Sequence, residues 1–181
     1  MTSIRHNDRV LDAARDCVLA FGVRRTTLTD VARRAGVSRM TIYRGWPDVR
    51  TLVADLMTRE WVRVVSGLDL SDPVEAIVAG VRELRAHPLW RKIVAADPEL
   101  LVPYLLDRRG ATHEAVLSVL EPALGDRRRA RAVLLVAQSF LLSAPTMTDP
   151  GAGEGSGTGA DPVTLDDLDA ELTTLLEAYL G

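Results

Sequence analysis

Apolar positions along this chain recur three and four residues apart, and they rarely alternate as a half-buried strand would. Val10, Ala14, Cys17, Val18 and Phe21, with Leu11 beside them, line one face of a first helix that Asn7 can cap and Gly22 stops. Leu52, Val53, Leu56, Met57, Trp61, Val64, Val65 and Leu68 mark a single stripe, which predicts a long helix over about 48–66. A further amphipathic helix runs from Val74 to Leu84 and ends at His87-Pro88, and a shorter one follows around Leu89 to Ala96. Asp97-Pro98 reads as the cap and first turn of another, Glu99 to Leu106. Ala111 to Leu124 is the next, followed by a strongly apolar helix from Arg127 to Leu142 that Pro145 closes. The last helix starts at Thr164-x-x-Asp167, a capping-box signature, and carries Leu165, Leu168, Leu172, Leu175, Leu176 and Tyr179 as its stripe. The expected class is all-α, and 181 residues leave room for an ample core.

Two stretches interrupt this pattern. Asp69 to Pro73 is a short break. Asp149 to Pro162 holds five glycines and no large apolar residue, which predicts a flexible loop over about 148–162. The two apolar helices that the loop joins, about 126–144 and 164–180, can complete their own core or pair with the same helices of a second subunit.

One stretch departs from the plain core-facing pattern. Thr26 to Asp48, TTLTDVARRAGVSRMTIYRGWPD, reads as two short helices around a tight turn. Thr27 and Asp30 give a capping-box-like start, with hydroxyl and carboxylate both placed to take up unpaired backbone N–H groups. Val31, Ala32 and Ala35 form a small apolar face, and Gly36 supplies the positive φ that ends the helix. Val37 turns inward, Ser38 caps again, and Arg39 to Arg44 form the second helix with Ile42 buried. Arg39, Met40, Tyr43 and Arg44 then share the free side. Two arginines, a tyrosine and a methionine on a short exposed helix suit a DNA major groove. Gly45 weakens the helix where it ends, Trp46 anchors into the small core, and Pro47-Asp48 open the long helix.

Charge sharpens this reading. The net charge of −3 hides an asymmetry: residues 1–66 carry twelve arginines against seven Asp/Glu, a net of +5, whereas residues 67–181 carry ten basic against eighteen acidic residues, a net of −8. The helix pair sits in the basic part, as a nucleic-acid-binding head would. Arg127-Arg128-Arg129 is better read as a solvated first turn than as a second nucleic-acid site, since the positive end of the helix dipole does not favour it and no aromatics interleave it.

Candidate chemistry changes the picture little. Cys17 is the one cysteine, so no intrachain disulfide forms, and a small buried hydrophobe is its expected role. His6, His87 and His113 lie far apart and in no H-x-x-x-H or H-E-x-x-H pattern, and the glycine-rich stretch follows no strand. An enzyme, a metal site and a cofactor are therefore not expected. MTSIRHNDR lacks the apolar core of a signal peptide, and no apolar run reaches bilayer length, so a cytoplasmic protein with no membrane partner is expected. In the aliphatic remainder, Trp61, Trp90, Tyr104, His113 and Gln138 are either ordinary core and surface residues or the lining of an effector pocket.

The 26–48 stretch closely resembles the signature of the TetR family of transcriptional regulators, T-x-x-x-I-A-x-x-A-G-V-S-x-x-T-x-Y-x-x-F. Thr27, Val31, Ala32, Ala35, Gly36, Val37, Ser38, Thr41, Tyr43 and Trp46 stand at the matching positions, and the resemblance covers roughly residues 7–66. It implies a three-helix DNA-binding head with a helix-turn-helix over 1–48 and a helical ligand-binding and dimerisation body over 49–181. It further implies a homodimeric repressor on a palindromic double-stranded DNA operator, released by a small effector, lipophilic by the body's apolar bias. The DNA-facing set would be Thr27, Thr29, Ser38, Arg39, Met40, Thr41, Tyr43, Arg44 and Arg50. Within it Thr27 and Tyr43 would touch phosphates, and Arg39, Met40, Thr41 and Arg44 would lie near base edges. Family members often carry a phosphate-holding lysine where Val49 stands, so Arg50 is the expected replacement. A helical module that uses the same motif for protein contact is the alternative, and the basic head argues against it.

Overall fold

A computed structural model describes residues 2–103, 109–149 and 162–181, with residues 2–6 as helix backbone. Among the described residues the regular elements are all helical: α1 (Thr2–Phe21), α2 (Leu28–Ala35), α3 (Arg39–Gly45), α4 (Val49–Ser66), α5 (Pro73–Ala86), α6 (Pro88–Ala96), α7 (Ala111–Leu124), α8 (Arg127–Ser143) and α9 (Leu165–Leu180). Short 3-10 turns follow α6 at Pro98–Leu100 and α8 at Ala144–Thr146. The boundaries follow the periodic pattern closely, because Gly, Pro and the capping residues stand where the apolar stripes end. Asn7 is an exception. It lies inside α1, since no glycine or proline between Thr2 and Arg9 halts the helix before it. Of the expected Glu99–Leu106 helix, the first residues fall in the 3-10 turn Pro98–Leu100, while Tyr104 to Leu106 and most of the glycine-rich loop lie outside the described residues.

The chain forms two compact units. The first comprises Met1–Arg63 and Ala86–Val116. Its core joins Val10, Ala14 and Val18 of α1, Leu28 and Val31 of α2, Ile42 of α3, Leu52 and Leu56 of α4, and Leu89 and Ile93 of α6. Each such fully buried aliphatic side chain contributes roughly 1.5–3 kcal/mol relative to exposure. Cys17 is buried in this cluster, and burial pushes its thiol up from the ordinary range, so it behaves as the small hydrophobe expected. Trp46 is buried too, and its indole N–H donates to Asp55 at 2.7 Å, which pins the end of α3 to α4. α6 comes from far along the chain, yet it completes the same core.

The second unit comprises Val64–Arg85 and Leu117–Gly181. Ile77, Val78, Val81, Leu84, Leu117, Leu120, Val133, Leu141, Leu172 and Leu176 are among its buried aliphatics. The stripe of α9 is not uniformly inward. Leu172 and Leu176 are buried, but Leu175 and Tyr179 are 53% and 49% exposed, and Asp169 takes an interior place instead. That carboxylate meets Arg82 of α5 at 3.0 Å and Arg85 at 2.9 Å, which offsets the cost of burying it. The capping box at the start of α9 is fully formed, with Thr164 and Asp167 each accepting the other's backbone N–H. Asp126 caps α8 by accepting the N–H groups of Arg128 and Arg129, so the arginine triplet forms an exposed first turn as read.

Candidate nucleic-acid interface

The site is assembled from local backbone chemistry. Thr27 is the N-cap of α2, and its Oγ1 accepts the Asp30 N–H at 3.1 Å. The Asp30 carboxylate receives the Thr27 hydroxyl at 2.6 Å and the Arg33 guanidinium at 2.8 Å, so the reciprocal bond to the cap's backbone is replaced by one to its side chain. Gly36 sits at φ +65° and its N–H closes the end of α2, a conformation that disfavours any residue with a Cβ. Ser38 caps α3 by accepting the Thr41 N–H at 3.1 Å, and the two hydroxyls lie 2.8 Å apart. One turn of chain thus sets the angle between two helices with few degrees of freedom left.

α3 buries Ile42 alone. Its other side is open: Met40 is 82% exposed, and Arg39, Tyr43 and Arg44 are exposed beside it. Among the described residues, no salt bridge holds Arg39, Arg44 or Arg50, although many other arginines are paired. Unpaired guanidiniums on a rigid face are ready for an anionic or acceptor-rich partner without first losing an existing bond. Thr27 and Ser38 are exposed, whereas Thr29 and Thr41 are half-buried. Both of these exposed caps, Thr27 and Ser38, also hold backbone N–H groups.

The start of α4 adds Arg50. Asp48 accepts the Thr51 N–H at 2.7 Å and the Thr51 hydroxyl at 3.0 Å, and these bonds hold its carboxyl below the usual carboxylate range. Val49 is half-buried against the core, so its position leaves the exposed Arg50 as the cation at this helix start.

Two buried acidic residues organise the same unit in ways that no local sequence pattern announces. Glu60 of α4, 5% exposed, sits among Arg59, Arg63, Arg15 and His87, at 2.8, 3.0, 3.7 and 3.7 Å respectively. Arg59 in turn reaches Asp12 of α1 at 2.9 Å. Burial holds His87 below its ordinary range, Glu60 opposes that shift and Arg15 adds to it. Asp97 is the second. It was expected to cap a helix, but its side chain makes no cap bond with the 3-10 turn it precedes. The carboxylate crosses to the loop between α1 and α2 instead. The periodic apolar stripe of α4 concealed Glu60, and the Asp-Pro pair concealed Asp97 behind a familiar capping role.

Of the five effector candidates, Trp61, Trp90 and His113 belong to the first unit. Trp61 and Trp90 are buried and their rings meet at 5.7 Å, with His87 edge-on to Trp61 at 5.6 Å. His113 accepts the Gly110 N–H at the start of α7, in the same unit. Gln138 belongs to α8 of the second unit, and Tyr104 is outside the described residues. An open cleft of about 480 Å³ on the first unit is lined by Cys17, Phe21, Arg25, Asp30, Arg33 and Arg34, none of them an effector candidate. Among the described residues, no group of three His, Cys, Asp or Glu side chains is placed to hold a metal ion. No described helix is long and apolar enough to cross a membrane.

Comparison with known proteins agrees with this geometry. Residues 10–56 match the family described as bacterial regulatory proteins, tetR family. An uncharacterised HTH-type transcriptional regulator of Mycobacterium bovis is 38% identical over 153 residues, covering 75% of this chain and 80% of that protein. Among solved structures, the TetR family repressor AlkX from a Dietzia strain, implicated in biodegradation of n-alkanes, aligns with a TM-score of 0.64 at 21% identity, over 96% of this chain and 95% of that one. A TetR-family transcriptional regulator from Streptomyces coelicolor aligns with a TM-score of 0.59, also at 21% identity, over 97% and 98%.

Proposed function

The chain belongs to the TetR family of bacterial regulatory proteins, and from that premise we propose that it is a homodimeric repressor of a palindromic operator, released by a small lipophilic effector. It is a DNA-binding regulator and not an enzyme. The finer reading rests foremost on the free face of α3, where Arg39, Met40, Tyr43 and Arg44 stand exposed on a helix capped at Ser38. Residues 1–48 act as the head and 49–181 as the body. Arg39, Met40, Thr41 and Arg44 reach base edges, while Thr27, Thr29, Ser38, Tyr43 and Arg50 secure the phosphate backbone. Two heads related by a two-fold axis then read two half-sites.

Dimerisation uses the outer faces of α8 and α9. Leu135, 68% exposed, lies on one, and Leu175 and Tyr179 lie on the other, apolar residues for which a second subunit is a natural cover. Effector binding in the body favours a tilt of α4 that changes the separation of the heads, and DNA affinity falls by the effector's preference for that state. Aliphatic residues dominate the body, which supports a lipophilic effector, with Trp61, Trp90, Tyr104, His113 and Gln138 as its candidate contacts.

Selection of bound fragments from genomic DNA, followed by sizing of the complex, tests the proposal. The expected product is an inverted repeat carrying two protomers per site. A fragment with a single half-site that binds one protomer equally tightly would contradict the dimer and the palindrome together.

A further inference from the structure

Asp97 makes contacts for which neither core packing nor helix capping accounts. Its carboxylate is 2% exposed, and Oδ2 accepts the Val23 N–H at 2.8 Å while Oδ1 accepts the Arg24 N–H at 3.4 Å. Two successive backbone N–H groups aimed at one anion form a nest. The Arg24 side chain lies over it, with Nε 3.5 Å from Asp97 Oδ1 and 2.8 Å from Glu99 Oε1, so both acids flanking Pro98 grip the same loop. Gly22 leaves the space: it sits at φ +80°, and a Cβ there would come within 3.2 Å of Asp97 Oδ2.

The gripped loop is stiff. Thr26 is buried, its hydroxyl donates to the Gly22 carbonyl at 2.8 Å, and its N–H donates to the Val23 carbonyl at 3.1 Å. The next residue, Thr27, is the cap of α2 and a member of the DNA-facing set. At the other end of the connection, Asp97 closes α6, whose Leu89 and Ile93 are fixed in the shared core. The Asp97 side chain thus ties the end of α6 to the loop that leads into α2, beside the core that α1, α2 and α6 already share.

We propose that Asp97 is a positioning residue for DNA binding: it locks the loop of residues 22–27, and through it the N-terminus of α2, to the end of α6. A shift of α6 reaches the DNA-facing end of α2 through this carboxylate, on a route beside α4 that does not use it. The proposal rests on the DNA-binding reading above.

The test compares full-length wild type, Asp97→Ala, Asp97→Asn and Arg44→Ala on one selected operator, at a temperature where circular dichroism shows each fully helical. Amide hydrogen exchange at residues 22–27 and the salt dependence of DNA affinity are the readouts. Asp97→Ala is expected to speed exchange at Val23 and Arg24 and to weaken DNA binding, each by about tenfold or more, as loss of a local clamp would. The salt slope should stay at the wild-type value, because no phosphate contact is lost. Asp97→Asn keeps a carbonyl oxygen for the Val23 N–H and is expected to recover part of both effects. Should the alanine variant fail to fold, Asp97→Asn alone must show freed amides and weaker binding at an unchanged slope. Freed amides with affinity at the wild-type level would overturn the positioning role. Arg44→Ala separates the two ideas: weakened binding there beside undiminished binding in Asp97→Ala sinks the clamp alone. A wild type that selects no DNA sinks the DNA reading and the clamp with it.

Discussion

The outer face of α3 and the interior around Glu60 use the same residue type in opposite ways. On α3, Arg39 and Arg44 are exposed and, among the described residues, held in no salt bridge. Around Glu60, Arg59 is bound to Glu60 and Asp12, with Arg63 and Arg15 completing the shell. An arginine with satisfied partners is part of the scaffold, because removing either side leaves a buried charge uncompensated. An arginine held out by a capped helix with no partner contributes little to folding and keeps its donors for another molecule. What distinguishes the two is pairing rather than basicity, and the net charge of the head does not reveal it.

The sharpest way to break this contrast is to alter one member of each set. Glu60→Ala is expected to destabilise the protein by about 3 kcal/mol, near the lower end of the range for breaking a buried pair because Arg63 remains in water. Arg39→Ala should stay within about 0.5 kcal/mol of wild type, as exposed substitutions do. Chemical denaturation of both variants decides the matter, and equal midpoints would erase the distinction.

Ser38→Ala lies between the two regimes, since Ser38 is exposed yet structural. Loss of its bond to the Thr41 N–H is expected to cost about 1 kcal/mol of stability. Thermal unfolding of Ser38→Ala beside Ser38→Gly measures the cap directly, because glycine at this position costs only a few tenths of a kcal/mol.

The smallest expected effect is a pH dependence at the edge of the Glu60 cluster. Burial holds the folded-state pKa of His87 below its ordinary value of 6.5. Above that value His87 is neutral whether the chain is folded or unfolded. As pH falls below it, the unfolded chain takes up a proton that the folded one resists, so stability declines until the folded-state pKa is passed. Unfolding midpoints between neutral and mildly acidic pH should show this decline, and His87→Gln should flatten it. An unaltered profile in His87→Gln would remove His87 as its source.

The legible parts of the molecule were those written within a few residues of one another. Gly36, Ser38, Asp48 and the Thr164–Asp167 box act over one helical turn, so their types and spacing were enough to place α2, α3, α4 and α9. The free face of α3 was legible for the same reason, since one buried residue, Ile42, settles which side is left over. Partners separated by dozens of residues were not. Val23 and Asp97 lie 74 positions apart, and Arg85 and Asp169 lie 84 apart, so no local pattern announces either bond. Asn7 misled because a favourable cap residue does not by itself start a helix where no glycine or proline precedes it. Asp169, Leu175 and Tyr179 show the same limit on α9, where periodicity located the stripe but not which members face a neighbour within the unit.

The free face of α3 is proposed to read DNA. The most direct test is to measure binding of wild type, Arg39→Ala and Arg44→Ala to the selected operator and to a set of single-base variants of it, at fixed salt. Each substitution is predicted to cost about 1–3 kcal/mol on the operator and to relax discrimination at one position per half-site, as loss of a bidentate base contact does. If both variants bind every sequence as tightly as wild type, α3 does not read the operator and the account fails.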